Sequence, residues 1–444
     1  MRAVLLIGLA AIGVWGCKSS GGEAATGTTG GAAGAAGAGG EAGVGGGVIP
    51  GCELGSSHDS LCAGGAPCPF SDEGKATCND VTRLALSVSK ATGGLLMAVQ
   101  ASDSPLYTLR SGALTKLDTF DQRVAVTFDE TEQLHAFFGR KAKSHEWMHR
   151  TYAASGPPTD ESMASFSSSY LVPAAAVERS GQLAALAIHG DGGNDTWELA
   201  ARAPSSGWQT ATLPAAAATY GSLSVADDGT PIVSYFATEA SAWHAKIRVG
   251  DTLDTLPFEV GNVLATDLAV VAGPTSWAGA AVSLEAGVQV VLPSGSLHSV
   301  SNLPPLRTPQ CETQWSFQCA STCTDDEQGV AGAPAGFRLD AKLLLARIET
   351  VIARTYSVTS KGCFEHGCQC VSTLESDASK SELVFTRLDT SDGSTTEVGR
   401  FAIPVVIRAT LATAQRGTVG AIAWLSDGVV RFARVDLAAL DAAP

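Results

Sequence analysis

Residues 220 to 260, YGSLSVADDGTPIVSYFATEASAWHAKIRVGDTLDTLPFEV, alternate apolar and polar side chains in short runs broken by turn formers. Alternation with period two puts successive side chains on opposite faces of an extended chain, so these runs read as strands. The first strand ends at Asp227-Asp228-Gly229, "PIVSYF" is a second, "WHAKIRV" a third and "TLPFEV" a fourth. Four short strands joined by turns form one antiparallel sheet. Such a unit cannot bury its faces alone and needs neighbouring copies of itself.

Copies are present. The same order recurs at residues 82–120, at 121–152, at 174–213, at 266–300 and from 405 on. A longer copy is built around "KLLLARIETVIARTYSV" and "SELVFTRLDT". Seven units result, with first strands about 40 to 50 residues apart outside the long copy, which is the length of a propeller blade. The segment "DDGTPIVSYF" resembles generic β-propeller blades, while no WD dipeptide and no Ser-x-Asp-x-Gly-x-x-Trp box links the chain to WD40 or sialidase propellers. The expected fold is all-β, a propeller of seven four-stranded blades, with tandem β-sandwich domains as the alternative. The runs "LALSV", "VAVTF", "SLSVA" and "LAVVA" have the small and β-branched residues expected of channel-facing first strands. The last unit lacks a fourth strand before Pro444. Closure by a strand from residues 44 to 80 is expected, because it removes a sheet edge.

The chain begins MRAVLLIGLAAIGVWGC, a single basic residue and then an apolar run too short to span a bilayer. Val14-Trp15-Gly16-Cys17 resembles the lipobox of bacterial lipoproteins, which implies removal of residues 1–16 and acylation of Cys17; Trp15 departs from the usual small residue. Of residues 21 to 47, 13 are Gly and 8 are Ala, so residues 17–50 read as a tether, with a root-mean-square span of roughly 30 Å. By resemblance to Gram-negative lipoprotein sorting, Lys18 after the cysteine implies the outer membrane. A small cysteine-rich segment, 51–81, would precede the propeller-like domain, 82–444, which carries a cysteine-rich double-loop insertion around 305–370.

Beyond Cys17 there are ten cysteines: Cys52, Cys62, Cys68, Cys78, Cys311, Cys319, Cys323, Cys363, Cys368 and Cys370. An even number in an exported chain reads as disulfides; a zinc knuckle at "CFEHGCQC" lacks paired C-x-x-C units. Cys311, Cys319 and Cys323 enter the long unit, and Cys363, Cys368 and Cys370 lie between its second and third strands. In an antiparallel blade these two connections emerge on one face. Three cysteines in each cluster require at least one bond between clusters if all six are oxidised among themselves.

The formal charge of −15 lies wholly beyond residue 50, because Arg2 and Lys18 offset Glu23 and Glu41. An acidic body repels phosphate, so nucleic acid is not expected as a partner, and membrane attachment falls to the acyl chains alone. His145, Glu146 and His149 match His-Glu-x-x-His, the zinc-peptidase pattern, which requires a helix to bring positions i and i+4 together. In the repeat this stretch is a third strand, which would separate the histidines by roughly 13 Å with Trp147 on their face and Met148 on the other. Glu161 and Glu178 are only nominal third ligands. "HGDGGND" from His189 reads as a hairpin turn, and Trp208, Trp243, Trp277 and Trp424 as packing between blades. No catalytic set or cofactor emerges. The function implied is a membrane-anchored, extracytoplasmic lipoprotein that binds or scaffolds a protein or glycan partner. The alternative is an exported hydrolase, acting as a zinc peptidase through HEWMH or as a propeller enzyme.

Overall fold

The computed structural model describes residues 52–442 except 56–60, 63–67, 79–80, 102–104, 121, 142–144, 154–155, 191–194, 214–220, 240–241, 259–267, 308–310, 312, 317–318 and 365–366. Cys17 and the whole of the tether lie outside the described residues.

The described residues form seven antiparallel sheets; five are four consecutive strands in meander order, and the other two contain a four-stranded core with further strands added. Their first strands are Val81–Val88, Ala125–Phe128, Tyr170–Arg179, Gly221–Val225, Ala269–Ala272, Ala335–Leu339 and Thr410–Arg416, in blades 1 to 7. Each first strand touches those of its two neighbours, and the seventh touches the first, so the ring is closed. The fold is a seven-bladed β-propeller, and the tandem-sandwich alternative is set aside.

The core follows from this arrangement, because each blade buries both faces against the next. Seven clusters of buried side chains occupy the seven seams: Phe128 and Leu134 meet Leu96 and Leu106 between blades 1 and 2, for example, and Trp424 and Ile422 meet Phe337 and Leu344 between blades 6 and 7. Second strands are mostly apolar and buried, as in Leu95–Ala101, every residue of which is buried, Gln100 included. Tight turns join the strands. Ser111-Gly112 and Asp427-Gly428 adopt positive φ at both positions (49° and 74°, 50° and 75°), the geometry that matches the twist of a hairpin.

Blade 7 is completed from the other end of the chain. Phe70–Cys78 pairs with Val429–Asp436 as its fourth strand, and Cys52–Leu54 adds a fifth. Closure by a strand from residues 44 to 80 is therefore what the chain adopts. The division of 51–81 from the propeller is corrected by the same pairing: Phe70 packs in the seam of blades 6 and 7 and Ala76 in that of blades 7 and 1. A short helix, Leu437–Asp441, follows, capped by the Asp436 side chain and burying Leu437 and Leu440; the alternation pattern did not reveal it.

Two further boundaries shift. The fourth strand of blade 4 is Thr252–Thr255, upstream of "TLPFEV", because Gly250, with φ of 54°, turns the chain at once and pairs Val249 with Thr252. The insertion of blade 6 runs past residue 370. Its second strand continues for 23 residues, Lys342–Phe364, and the outer half carries Gly367–Asp377 on one side and Thr322–Val330 on the other, with Thr313–Ser316 beyond. The result is a four-stranded arm built onto the blade.

Candidate functional site

His145 to Tyr152 is the third strand of blade 2, so the zinc-peptidase pattern stands on extended backbone. His145, Trp147 and His149 share the face turned to blade 3, where Trp147 is buried against Phe137, Leu171 and Ala185. Met148, on the other face, is buried as well. The candidate ligands do not converge. His145 Nδ1 lies 2.8 Å from the Ser168 carbonyl oxygen, and Glu146 accepts from Arg140 Nε at 2.8 Å. Both ring nitrogens of His149 have other partners: Nδ1 is 2.6 Å from Glu161 Oε1, and Nε2 is 2.8 Å from His135 Nδ1. Among the described residues no group of three or more potential ligands could hold a metal.

The motif instead belongs to a polar line. Asp129, in the turn between the first and second strands of blade 2, places Oδ2 3.1 Å from His135 Nε2. His135 lies on the second strand, His149 on the third and Glu161 on the fourth, cross-strand from His149. Glu161 Oε1 also accepts from Trp208 Nε1 at 3.0 Å and from Arg202 of blade 3, whose guanidinium lies over the Trp208 ring. The two imidazoles stack at 5.0 Å and are nearly inaccessible. Burial drives His149 down to about 4, against the Glu161 hydrogen bond that favours its charged form. Burial also opposes ionisation of Asp129 and Glu161. Hydrogen bonds outweigh it, from His135, Gln133 N–H and Thr131 to Asp129 and from His149 and Trp208 to Glu161, and hold both carboxyls below their usual range. His135 and Asp129 carried no sequence signal, because their roles arise from a neighbouring strand and a turn. Glu178, the other nominal third ligand, lies elsewhere, on the first strand of blade 3.

The seven first strands surround a channel of about 1010 Å³. Different blades contribute apolar side chains to its wall, among them Leu84, Ala125, Ala174, Leu223, Val270 and Ala412, alongside polar ones such as Arg83 and Thr413. The end marked by the turns between first and second strands is polar. There Asp227 of blade 4 takes Arg179 of blade 3 on one oxygen and Arg338 of blade 6 on the other. Arg338 also reaches the Ala272 carbonyl of blade 5 at 3.4 Å, and its backbone N–H donates to Gln415 of blade 7 at 2.8 Å. Arg338 thus links four blades across the channel floor, three through its guanidinium and blade 7 through its backbone N–H. Beside it, burial pushes Glu178 up to about 7; the Gly181 N–H bond opposes this, and Glu130 and Asp129 add to it.

The arm of blade 6 emerges on the opposite face, since the connection entering a blade and the connection after its second strand share an end. Cys311–Cys323 and Cys363–Cys368 close within their clusters, and Cys319–Cys370 joins the clusters with Cα atoms 5.5 Å apart. The odd count in each cluster is satisfied in this way. Cys52–Cys78 and Cys62–Cys68 complete the ten. Residues 373–378 of the arm are exposed, and Leu374, at 48%, is an exposed large apolar side chain on it. The four tryptophans pack in seams: Trp208 between blades 2 and 3, Trp243 and Trp277 between 4 and 5, and Trp424 between 6 and 7. The tip of "HGDGGND", 191–194, lies outside the described residues; Gly190 and Asp195 pair across it.

No family model matches this chain, and no curated protein matches it. Among solved structures it is similar to the WD40 domain of SCAP from fission yeast, at 10% identity over 84% of this chain and 98% of that one, with a TM-score of 0.39. A subtype N10 neuraminidase-like protein of A/little yellow-shouldered bat/Guatemala is similar at 10% identity, 86% and 99% coverage and a TM-score of 0.38. A Trypanosoma rangeli sialidase, solved with sialic acid, is similar at 11% identity, with 88% of this chain and 60% of that one covered and a TM-score of 0.39. The likeness is one of strand arrangement, and no residue role passes from these proteins to this chain.

Proposed function

We propose that this protein is an extracytoplasmic binding module, anchored at the outer membrane through acylated Cys17, that captures a protein or glycan partner on the stapled arm of blade 6. The arm carries the proposal. It is the main departure from sevenfold repetition, it projects from one face, and three disulfides hold it so that little conformational entropy is lost on binding. The lipobox-like Val14 to Cys17, the Gly/Ala tether and the ten paired cysteines support an exported, anchored chain. The reading of HEWMH as a zinc site has no such support, since its three side chains point to separate partners.

Two measurements test the two halves. Cys17→Ser is expected to lose acylation and to leave the membrane fraction; retention through washes at high salt and high pH would contradict the anchor. A photo-crosslinking residue at Leu374 is expected to trap a discrete partner in intact cells, whereas the same residue at Leu253, exposed on blade 4, is not. Equal crosslinking at both places, or none at Leu374, would remove the arm as the capture surface.

A further inference from the structure

The five disulfides differ in how far the fold depends on them and how far solvent reaches them. Cys319–Cys370 joins clusters 51 residues apart, Cys311–Cys323 spans 12 residues, and each has one cysteine buried and the other half-buried. Cys52 and Cys78 stand opposite each other on paired strands, and both are buried. Cys68 is exposed, but no strand pairing among the described residues holds it beside Cys62, which packs on the seam of blades 6 and 7. That bond fixes its own loop. Cys363–Cys368 is different on each count. It spans only 5 residues, so it removes little freedom from the unfolded chain. Its cysteines face each other in the register of Lys342–Phe364 with Gly367–Asp377, so backbone pairing already holds them together. Cys363 is exposed while Cys368 is buried, and the Cys363 sulfur lies 3.2 Å from Oγ of the exposed Ser360 rather than in an apolar seam. The fold needs this bond least, and an outside thiolate can reach one of its sulfurs.

We propose that Cys363–Cys368 is a thiol–disulfide exchange site through which the arm takes the cysteine thiol of an exported protein partner. The inference rests on the arm as the capture surface and names the chemistry of capture. The partner's thiolate attacks Sγ of Cys363, the member of the pair that is open to solvent. A new S–S bond forms there and the Cys363–Cys368 bond breaks. Its electron pair leaves with the Cys368 sulfur, which takes a proton from solvent. One disulfide replaces another, so no further oxidant or reductant is consumed.

The rest of the arm permits this step without unfolding. Cys370, two residues beyond Cys368 and so on the same face of the strand, is buried and bonded to Cys319. That bond, with the pairing of Val358 to Ser360 against Cys370 to Ser372, keeps the arm assembled while Cys363 carries a partner. The same register keeps Cys368 opposite the mixed disulfide. As a thiolate it can attack Cys363, restore the original bond and expel the partner's thiol, so capture is reversible.

The full chain, exposed to rising concentrations of reduced glutathione, quenched with N-ethylmaleimide and mapped as peptides, gives the direct test. Cys363 and Cys368 are expected to react about tenfold faster than any other cysteine, with glutathione on Cys363 and maleimide on Cys368 in the first adduct. Another bond opening first, all five opening together, or glutathione placed on Cys368 overturns the proposal. The double variant Cys363→Ser with Cys368→Ser is expected to keep the wild-type thermal midpoint and the arm's resistance to protease. A fall of several degrees would make the bond a structural staple and overturn the exchange. Capture is then read with the photo-crosslinking residue at Leu374, in the wild type and in the double variant. Losing the covalent point of engagement should cut trapping about tenfold. Equal trapping in both overturns the exchange and leaves the arm as the capture surface, whereas no trapping in either overturns both.

Discussion

His149 and Glu178 show how two side chains of one ring impose opposite pH dependences. The neutral imidazole makes stability fall as pH drops below 6.5. Glu178 does the reverse: its folded carboxyl stays neutral up to about 7, whereas in the unfolded chain it ionises from 4.5, so the folded state loses ground as pH rises through that window. The expected result is that Glu178→Gln, which keeps an oxygen for the Gly181 N–H, raises the thermal midpoint at pH 8 and leaves it unchanged at pH 4. After allowance for the partial exposure of the site the gain is about 1–2 kcal/mol. Equal midpoints at pH 8 would mean that the carboxyl is ionised in the folded chain. At this scale the sequence was least legible. His-Glu-x-x-His could be recognised as lying on a strand from its place in the repeat, but the partners of its second histidine lie 14 residues upstream and 12 downstream.

Strands and turns were far more legible, because period two and turn chemistry act between residues close in sequence. The errors occurred at edges. Gly250 starts a turn earlier than the apolar run suggested, and the insertion's boundary fell inside Gly367–Asp377 because that strand keeps alternating while its neighbour Lys342–Phe364 outgrows the blade. The arm yields its own prediction. Cys319–Cys370 closes a separation of 51 residues, which corresponds to about 4 kcal/mol of chain entropy in the unfolded state. Its loss should fall on the arm, whose strands pair with one another, more than on the seams. Cys319→Ser with Cys370→Ser is expected to make residues 313–330 and 354–377 sensitive to limited proteolysis while a protected ring fragment persists. Cleavage spread across all blades would show that the staple holds the whole ring.

The whole molecule depends on a junction between strands far apart in the chain. Phe70–Cys78 closes blade 7 against Val429–Asp436, and its Phe70 packs edge-on to Phe401 of blade 6 with ring centroids 4.7 Å apart. Removing residues 52–78 should therefore expose the edge of Val429–Asp436 and cause oligomerisation or a large fall in the unfolding midpoint, whereas removing 21–47 should leave the midpoint unchanged. Light scattering and thermal melts of the two deletions separate these outcomes; equal behaviour would contradict closure by the early strand. Repeat spacing and alternation were enough to determine an all-β ring of seven units, since they record which faces must be buried and how often. The odd number of cysteines in each cluster likewise required a bond between clusters. Only the tertiary structure decided that Cys319 and Cys370 form that bond, that Arg338 and Asp227 meet across 111 residues, and that the buried rings of His135 and His149 come within 2.8 Å of each other. Those outcomes depend on distances of a few ångströms between strands brought side by side by packing, and no periodicity along the chain encodes them.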